Sequence, residues 1–156
     1  MMTLAYSESF LDFKKRLDSI DQNTSYEDKR RIHYKSLKNF IYHYAYLKKS
    51  RVSAAKLLVE YLELIESSGY FLTEEQSQGT YDLYINPIAR IYRRYLNFAS
   101  EFSILFNILF YVLPNMGVWF IFHSNILTLS FQLLYILYWI NYIIKYYANK
   151  IYGYRY

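Results

Sequence analysis

Along the first hundred positions, apolar residues recur at steps of three and four, a spacing that predicts amphipathic helices. In the first, over roughly 9–20, Phe10, Phe13, Leu17 and Ile20 fall on one face. Thr24, with Glu27 three residues on, reads as a capping box opening a second helix over 26–48, with Ile32, Leu37, Phe40, Tyr44 and Leu47 on its apolar side. A third, over 53–66, runs through Ala55, Leu58, Leu62 and Ile65 and stops at Ser67-Ser68-Gly69, where glycine supplies the left-handed turn. Thr73-Glu74-Glu75-Gln76 opens a short turn of helix that Gly79 closes. Asn86-Pro87 reads as a cap followed by proline at the first helical position, starting a fourth helix through Ile88, Ile91, Tyr95, Leu96 and Phe98. No segment alternates with a period of two, so no strand is expected.

After Glu101 the pattern changes: residues 102–144 contain no Asp, Glu, Lys or Arg. A hydrocarbon layer of about 30 Å takes roughly 20 helical residues, so this stretch is too long for one span and suits two. A turn at His123-Ser124-Asn125 leaves spans over 102–122 and 126–144. The rival turn, Pro114-Asn115-Met116-Gly117, leaves too few residues before it to cross and is read as a kink. No charged residue marks the wet stripe that a core helix of a soluble bundle keeps. The expected fold class is therefore all-α: N-terminal amphipathic helices followed by a two-span transmembrane helical hairpin. The expected organisation is a helical extramembrane region at 1–86, an amphipathic lead-in helix at 87–101, the hairpin at 102–144 and a basic aromatic tail at 145–156.

Flanking charge sets the orientation of such a hairpin. Arg90, Arg93 and Arg94 precede it and Lys145, Lys150 and Arg155 follow it, so both termini are placed on the cytoplasmic or matrix side. Arg90, Arg93, Arg94, Lys145 and Lys150 are the candidate contacts to lipid or to a partner. Folding the hairpin about Ser124 puts Asn107 level with Asn141 and Phe110 level with Tyr138. Pro114 denies the Phe110 carbonyl its intrahelical donor, and in lipid that carbonyl needs another. Asn107, Tyr138 and Asn141 are the candidate interhelical polar contacts, at on the order of 1 kcal/mol each. Facing a neighbouring subunit is the equal alternative.

Charge and composition narrow the chemistry. Residues 1–101 carry a net charge of +2, and the basic tail brings the chain to +5. With no cysteine, disulfides and thiolate metal sites are excluded. His33 and His43 are too far apart along one helix to share a metal, and His123 stands alone at the expected turn. No Asp, Glu, Lys or Arg lies within 102–144 to relay protons. No P-loop, dinucleotide fingerprint or nucleophile elbow occurs, so no catalytic residue, cofactor or metal site is assigned. The N-terminus shows neither a secretory signal nor an acid-free import presequence.

Nine basic residues and no acid lie between Lys29 and Lys56, interleaved with Tyr34, Tyr42, Tyr44 and Tyr46. Anionic lipid such as cardiolipin, or an acidic partner surface, is the expected counterpart. A plain solvated face is the next reading, and nucleic acid the least favoured.

Phe, Tyr, Ile, Asn and Lys supply 67 residues against 21 for Gly, Ala, Arg and Pro, the mark of strongly AT-biased DNA. In this loading the chain resembles orphan membrane proteins encoded in ciliate mitochondrial DNA. The resemblance implies a non-catalytic accessory subunit of a respiratory-chain complex of the mitochondrial inner membrane, with ATP synthase next, bound to other subunits of a large membrane complex. The alternative is an oligomeric membrane effector or channel of a low-GC bacterium, its termini in the cytoplasm.

Overall fold

A computed structural model describes residues 2–101 and 125–153, and within them the side chains of all but 2–9, 125–128 and 131. The chain is mostly helical and divides into two compact units. Unit 1 holds residues 1–98 and 152–156, and unit 2 holds 99–151.

Unit 1 is built from six helices. α1 (Met2–Asn23) and α4 (Arg51–Ser67) are the long ones. α2 (Tyr26–Arg31) and α3 (Tyr34–His43) lie between them, α3 tightening into a 3-10 turn over Tyr44–Tyr46. α5 (Glu74–Thr80) runs through a π turn, Tyr81–Ile85, into α6 (Asn86–Leu96). The face predicted for α1 is the one buried: Phe13, Leu17 and Ile20 are core, with Phe10 packed against it. Leu37, Phe40 and Ile41 of α3, Leu58, Tyr61, Leu62 and Ile65 of α4 and Ile85, Ile88 and Tyr92 along the α5–α6 run complete that core. Each such aliphatic or phenyl group contributes roughly 1.5–3 kcal/mol on leaving water. Arg16 clamps α1 to α4 with two parallel bonds to Glu66, Nε–Oε1 and Nη2–Oε2 both at 2.7 Å. That fork geometry is the strong form of an ion pair.

Helix ends follow local chemistry, with shifts from expectation. Thr73 and Gln76 form a complete capping box. α4 ends as the glycine at position 69 requires: its φ is 65°, Tyr70 N–H bonds Ile65 O and Gly69 N–H bonds Glu66 O. The cap of α2 is Ser25, one residue beyond Thr24, with its hydroxyl accepting from Asp28 N–H and donating to the Asp28 carboxylate. Gly79 does not close α5. The helix passes through it, and the π turn, with Asn86 N–H bonded to Tyr81 O, leads into the segment where Pro87 has no N–H to give. The single helix expected over 26–48 is broken at His33, whose φ of 49° is left-handed. α6 stops at Leu96 with Asn97 left-handed, short of the uncharged stretch.

Unit 2 contains β1 (Ala99–Ser100), α7 (Asn125–Tyr147) and Ile151 of β2 (Ile151–Tyr152). β1 pairs with β2, and Ala99 N–H bonds Lys150 O. This two-stranded ribbon was not expected. α7 ends in the same motif as α4, with Asn149 in the glycine position: Lys150 N–H bonds Lys145 O and Asn149 N–H bonds Tyr146 O.

The two-span transmembrane hairpin is corrected here. Among the described residues, no helix is long and apolar enough to cross a membrane. The first expected span, 102–122, and the turn at His123-Ser124 lie outside the described residues. The second, 126–144, falls within α7, whose described residues supply no stretch that could cross. Its lack of charge misleads because Gln132, Asn141, Tyr135, Tyr138 and Tyr142 are uncharged yet carry groups that need hydrogen bonds.

Burial pushes the Tyr61 and Tyr92 hydroxyls well above their ordinary value of 10.0. Folded, both keep their protons while the unfolded chain loses them as pH rises past that value. Their stabilisation is thus complete below pH 10 and lost above it, at up to about 1.4 kcal/mol per pH unit for each. Chemical denaturation between pH 9 and 11.5 will show stability falling above pH 10, and Tyr92→Phe will flatten that fall.

Candidate functional site

The described residues offer three places where chemistry or binding could reside: a buried polar node at the α2–α3 break, the basic surface of unit 1, and the exposed side of α7.

At the node, breaking the helix leaves carbonyls of its last turn without helical donors. The Ser77 hydroxyl donates to Arg31 O at 2.6 Å, and the Tyr61 hydroxyl donates to Ile32 O at 2.9 Å. His33 Nε2 lies 3.0 Å from Ser77 O and 3.4 Å from Ser77 Oγ. A carbonyl only accepts, so Nε2 carries the proton. The serine's own proton is committed to Arg31 O, and the facing imidazole nitrogen is a donor, so the pair lacks the base-to-nucleophile relation that acyl transfer needs. Thr80 Oγ1 adds a bond to Ser77 O at 3.0 Å, and the His33 and Tyr81 rings pack at 5.2 Å. The node holds three segments together. His43 is likewise structural: its Nδ1 meets Asn39 O at 3.0 Å, and its ring packs edge-on to Phe98. Among the described residues, no group of His, Asp and Glu is arranged to hold a metal ion.

Four of the nine cations in the basic run from Lys29 to Lys56 pair with local carboxylates. Lys29 pairs with Asp21 at 2.7 Å, Arg30 with Glu27 and Arg31 with Asp28 at 3.7 Å, and Lys56 with Glu60 at 3.8 Å. The bond from Lys29, together with one from Tyr34, holds the Asp21 carboxyl below its usual range. Lys38 sits over the rings of Tyr34 and Tyr42, each at 6.0 Å, and Arg51 over Tyr44 at 4.9 Å. Of the four interleaved tyrosines, Tyr42 and Tyr46 are exposed, Tyr34 is half-buried and Tyr44 belongs to the core. No open stacking platform of the kind single-stranded nucleic acid uses is formed by the four together.

The sequence-predicted contacts fall into separate units. Arg90, Arg93 and Arg94 are exposed on α6 in unit 1, with Arg94 over the Tyr95 ring at 5.6 Å. The Tyr95 hydroxyl is lowered by a hydrogen bond to Ser50 and by the charges of Arg94 and Lys49, so the lead-in arginines and the basic run meet at this tyrosine. Lys145 and Lys150 close α7 in unit 2, where desolvation and then Lys150 lower the Lys145 ammonium. Asn107 lies outside the described residues, as does its pairing with Asn141. Tyr138 is half-buried on α7, while Asn141 is exposed.

α7 inverts the usual arrangement of a surface helix. Its aromatic side, Tyr135, Tyr138, Trp139 and Tyr142, is half-buried, with Trp139 packed edge-on between Tyr135 and Tyr142. Its aliphatic side is exposed, from Leu129 at 63% to Ile144 at 61%. Reading the sequence by charge alone missed this inversion, although the interleaving of Leu and Ile with Tyr at helical spacing carries it. No protein family, curated protein or solved structure matches the chain.

Removing the hydroxyl in Ser77→Ala leaves a buried carbonyl without its donor, and urea denaturation will show a loss of about 1–2 kcal/mol. Thr80→Ala removes a donor to a carbonyl that His33 still serves, and its loss will be smaller.

Proposed function

We propose that the chain is a non-catalytic accessory subunit of a multisubunit energy-transducing complex at the mitochondrial inner membrane. A respiratory-chain complex comes first and ATP synthase second. The observation that carries this reading is the aliphatic side of α7, which stands exposed along a 23-residue helix. Contiguous apolar patches of that kind mark surfaces that other proteins or a membrane cover. The AT-driven composition supports an organellar source. In this reading α7 is the assembly surface, and the arginines of α6 face the matrix and meet anionic headgroups or acidic neighbours.

Extraction in mild detergent followed by native electrophoresis tests the proposal. The expected result is migration in a particle many times the chain's 19.0 kDa, together with haem, flavin or F-type partners. A Leu133→Glu variant, which puts a charge on the exposed side of α7, will shift most of the chain out of that particle. Migration in particles containing this chain alone, with depolarisation of expressing bacteria, would replace the proposal with the effector reading.

A further inference from the structure

The chain passes out of unit 1 after Phe98 and returns to it at Tyr152. The ribbon of β1 and β2 lies at that crossing, where Ala99 N–H bonds Lys150 O at 2.9 Å. The returning residues do not trail in solvent. Ile151, Tyr152 and Gly153 are all buried, and Tyr152 joins the core of unit 1 with its ring 6.1 Å from that of Phe40. Ser36 of α3, itself fully buried, holds the backbone of Gly153 at both polar groups. Its hydroxyl accepts from Gly153 N–H at 3.1 Å and donates to Gly153 O at 3.2 Å, across a separation of 117 residues.

This hold is small beside the core it closes on. An O–H···O bond is ordinarily about 2.7–2.8 Å long, so the donation from Ser36 is of the weak kind. A ribbon of two-residue strands is marginal by itself. Holding the two ends of so long a segment together costs chain entropy, and with no cysteine no disulfide bears that cost. The rest of the unit 1 core, from Phe13 of α1 to Tyr92 of α6, comes from helices that pack on one another without residues 151–153. A segment fixed by few groups at the margin of such a core opens below the free energy of global unfolding.

We propose that residues 151–153 are a releasable clasp, with Ser36 as its catch, that opens while the helices of unit 1 stay folded. Closed, the clasp joins unit 2 to unit 1 at both of its ends. Open, it leaves a single connection, through residues 98–99, and the chain beyond α7 is freed. The clasp stands independently of the accessory-subunit reading.

Hydrogen exchange of the full chain, read at single amides where reclosing outpaces exchange, tests this. Gly153 and Ala99 N–H are expected to share one protection, roughly tenfold or more below that of Leu58 and Leu62 N–H in α4. Ser36→Ala removes the catch and leaves the Ala99 bond untouched. It is expected to speed exchange at Ala99 about tenfold, while Leu58 and Leu62 keep their rates. Gly153 and Ala99 exchanging no faster than Leu58 and Leu62 would show that the clasp opens only with the whole unit, and the proposal falls. Exchange of both at the rate of unprotected amides overturns it equally, because no clasp then closes. An unchanged rate at Ala99 in Ser36→Ala, or equal acceleration of all the amides, removes Ser36 as the catch. The comparison within the unaltered chain needs no variant, so it decides the matter even if Ser36→Ala does not fold.

Discussion

Two carbonyls hold unit 1 in its shape. Arg31 O and Ile32 O lose their helical donors where the chain turns left-handed at His33, and in a buried setting an unmade bond costs on the order of 1–3 kcal/mol. Ser77 from α5 and Tyr61 from α4 supply the missing donors. The break in one helix thereby fixes the position of two others. A third instance follows the same rule: Tyr44 N–H turns to Ile41 O in the 3-10 turn after α3, and the Tyr92 hydroxyl reaches Phe40 O at 2.8 Å. The tyrosines that an AT-biased composition supplies are thus used twice, as bulk for the core and as donors at helix ends. Phenylalanine would fill the same space and leave the carbonyls bare.

This reuse explains which parts of the fold were legible in the sequence. The buried face of α1, the Thr73 box and the Gly69 turn are written within a few residues of where they act, so local spacing reveals them. The break at His33 is not. It depends on Tyr61 and Ser77, 29 and 46 residues distant respectively from the residues they serve, and neither end of either bond is distinctive alone. Continuity through Gly79 into α6 has the same character: glycine and Asn-Pro are punctuation by propensity, but a π turn and packing of Ile85 and Ile88 into the core override it. The paired strands at 99–100 and 151–152 are two residues each, below the length at which alternation can be seen.

The uncharged stretch carries a different lesson. Absence of charge was read as presence of apolarity, and the two diverge wherever tyrosine, asparagine and glutamine are common. Each tyrosine removes a charge-free position from suspicion while adding a hydroxyl that hydrocarbon cannot satisfy. In α7 those residues collect on the half-buried side, and the aliphatic residues collect on the other.

The two units also differ in what they leave undone. Unit 1 contains a closed core, its helix breaks are capped from within, and Arg16, Lys29, Arg30, Arg31 and Lys56 have carboxylate partners in the same unit. α7 displays more large aliphatic residues to solvent than any other described helix. Tyr135, Tyr138, Trp139 and Tyr142 of the same helix are half-buried. Covering that aliphatic side would release the hydrophobic free energy it now leaves unrealised.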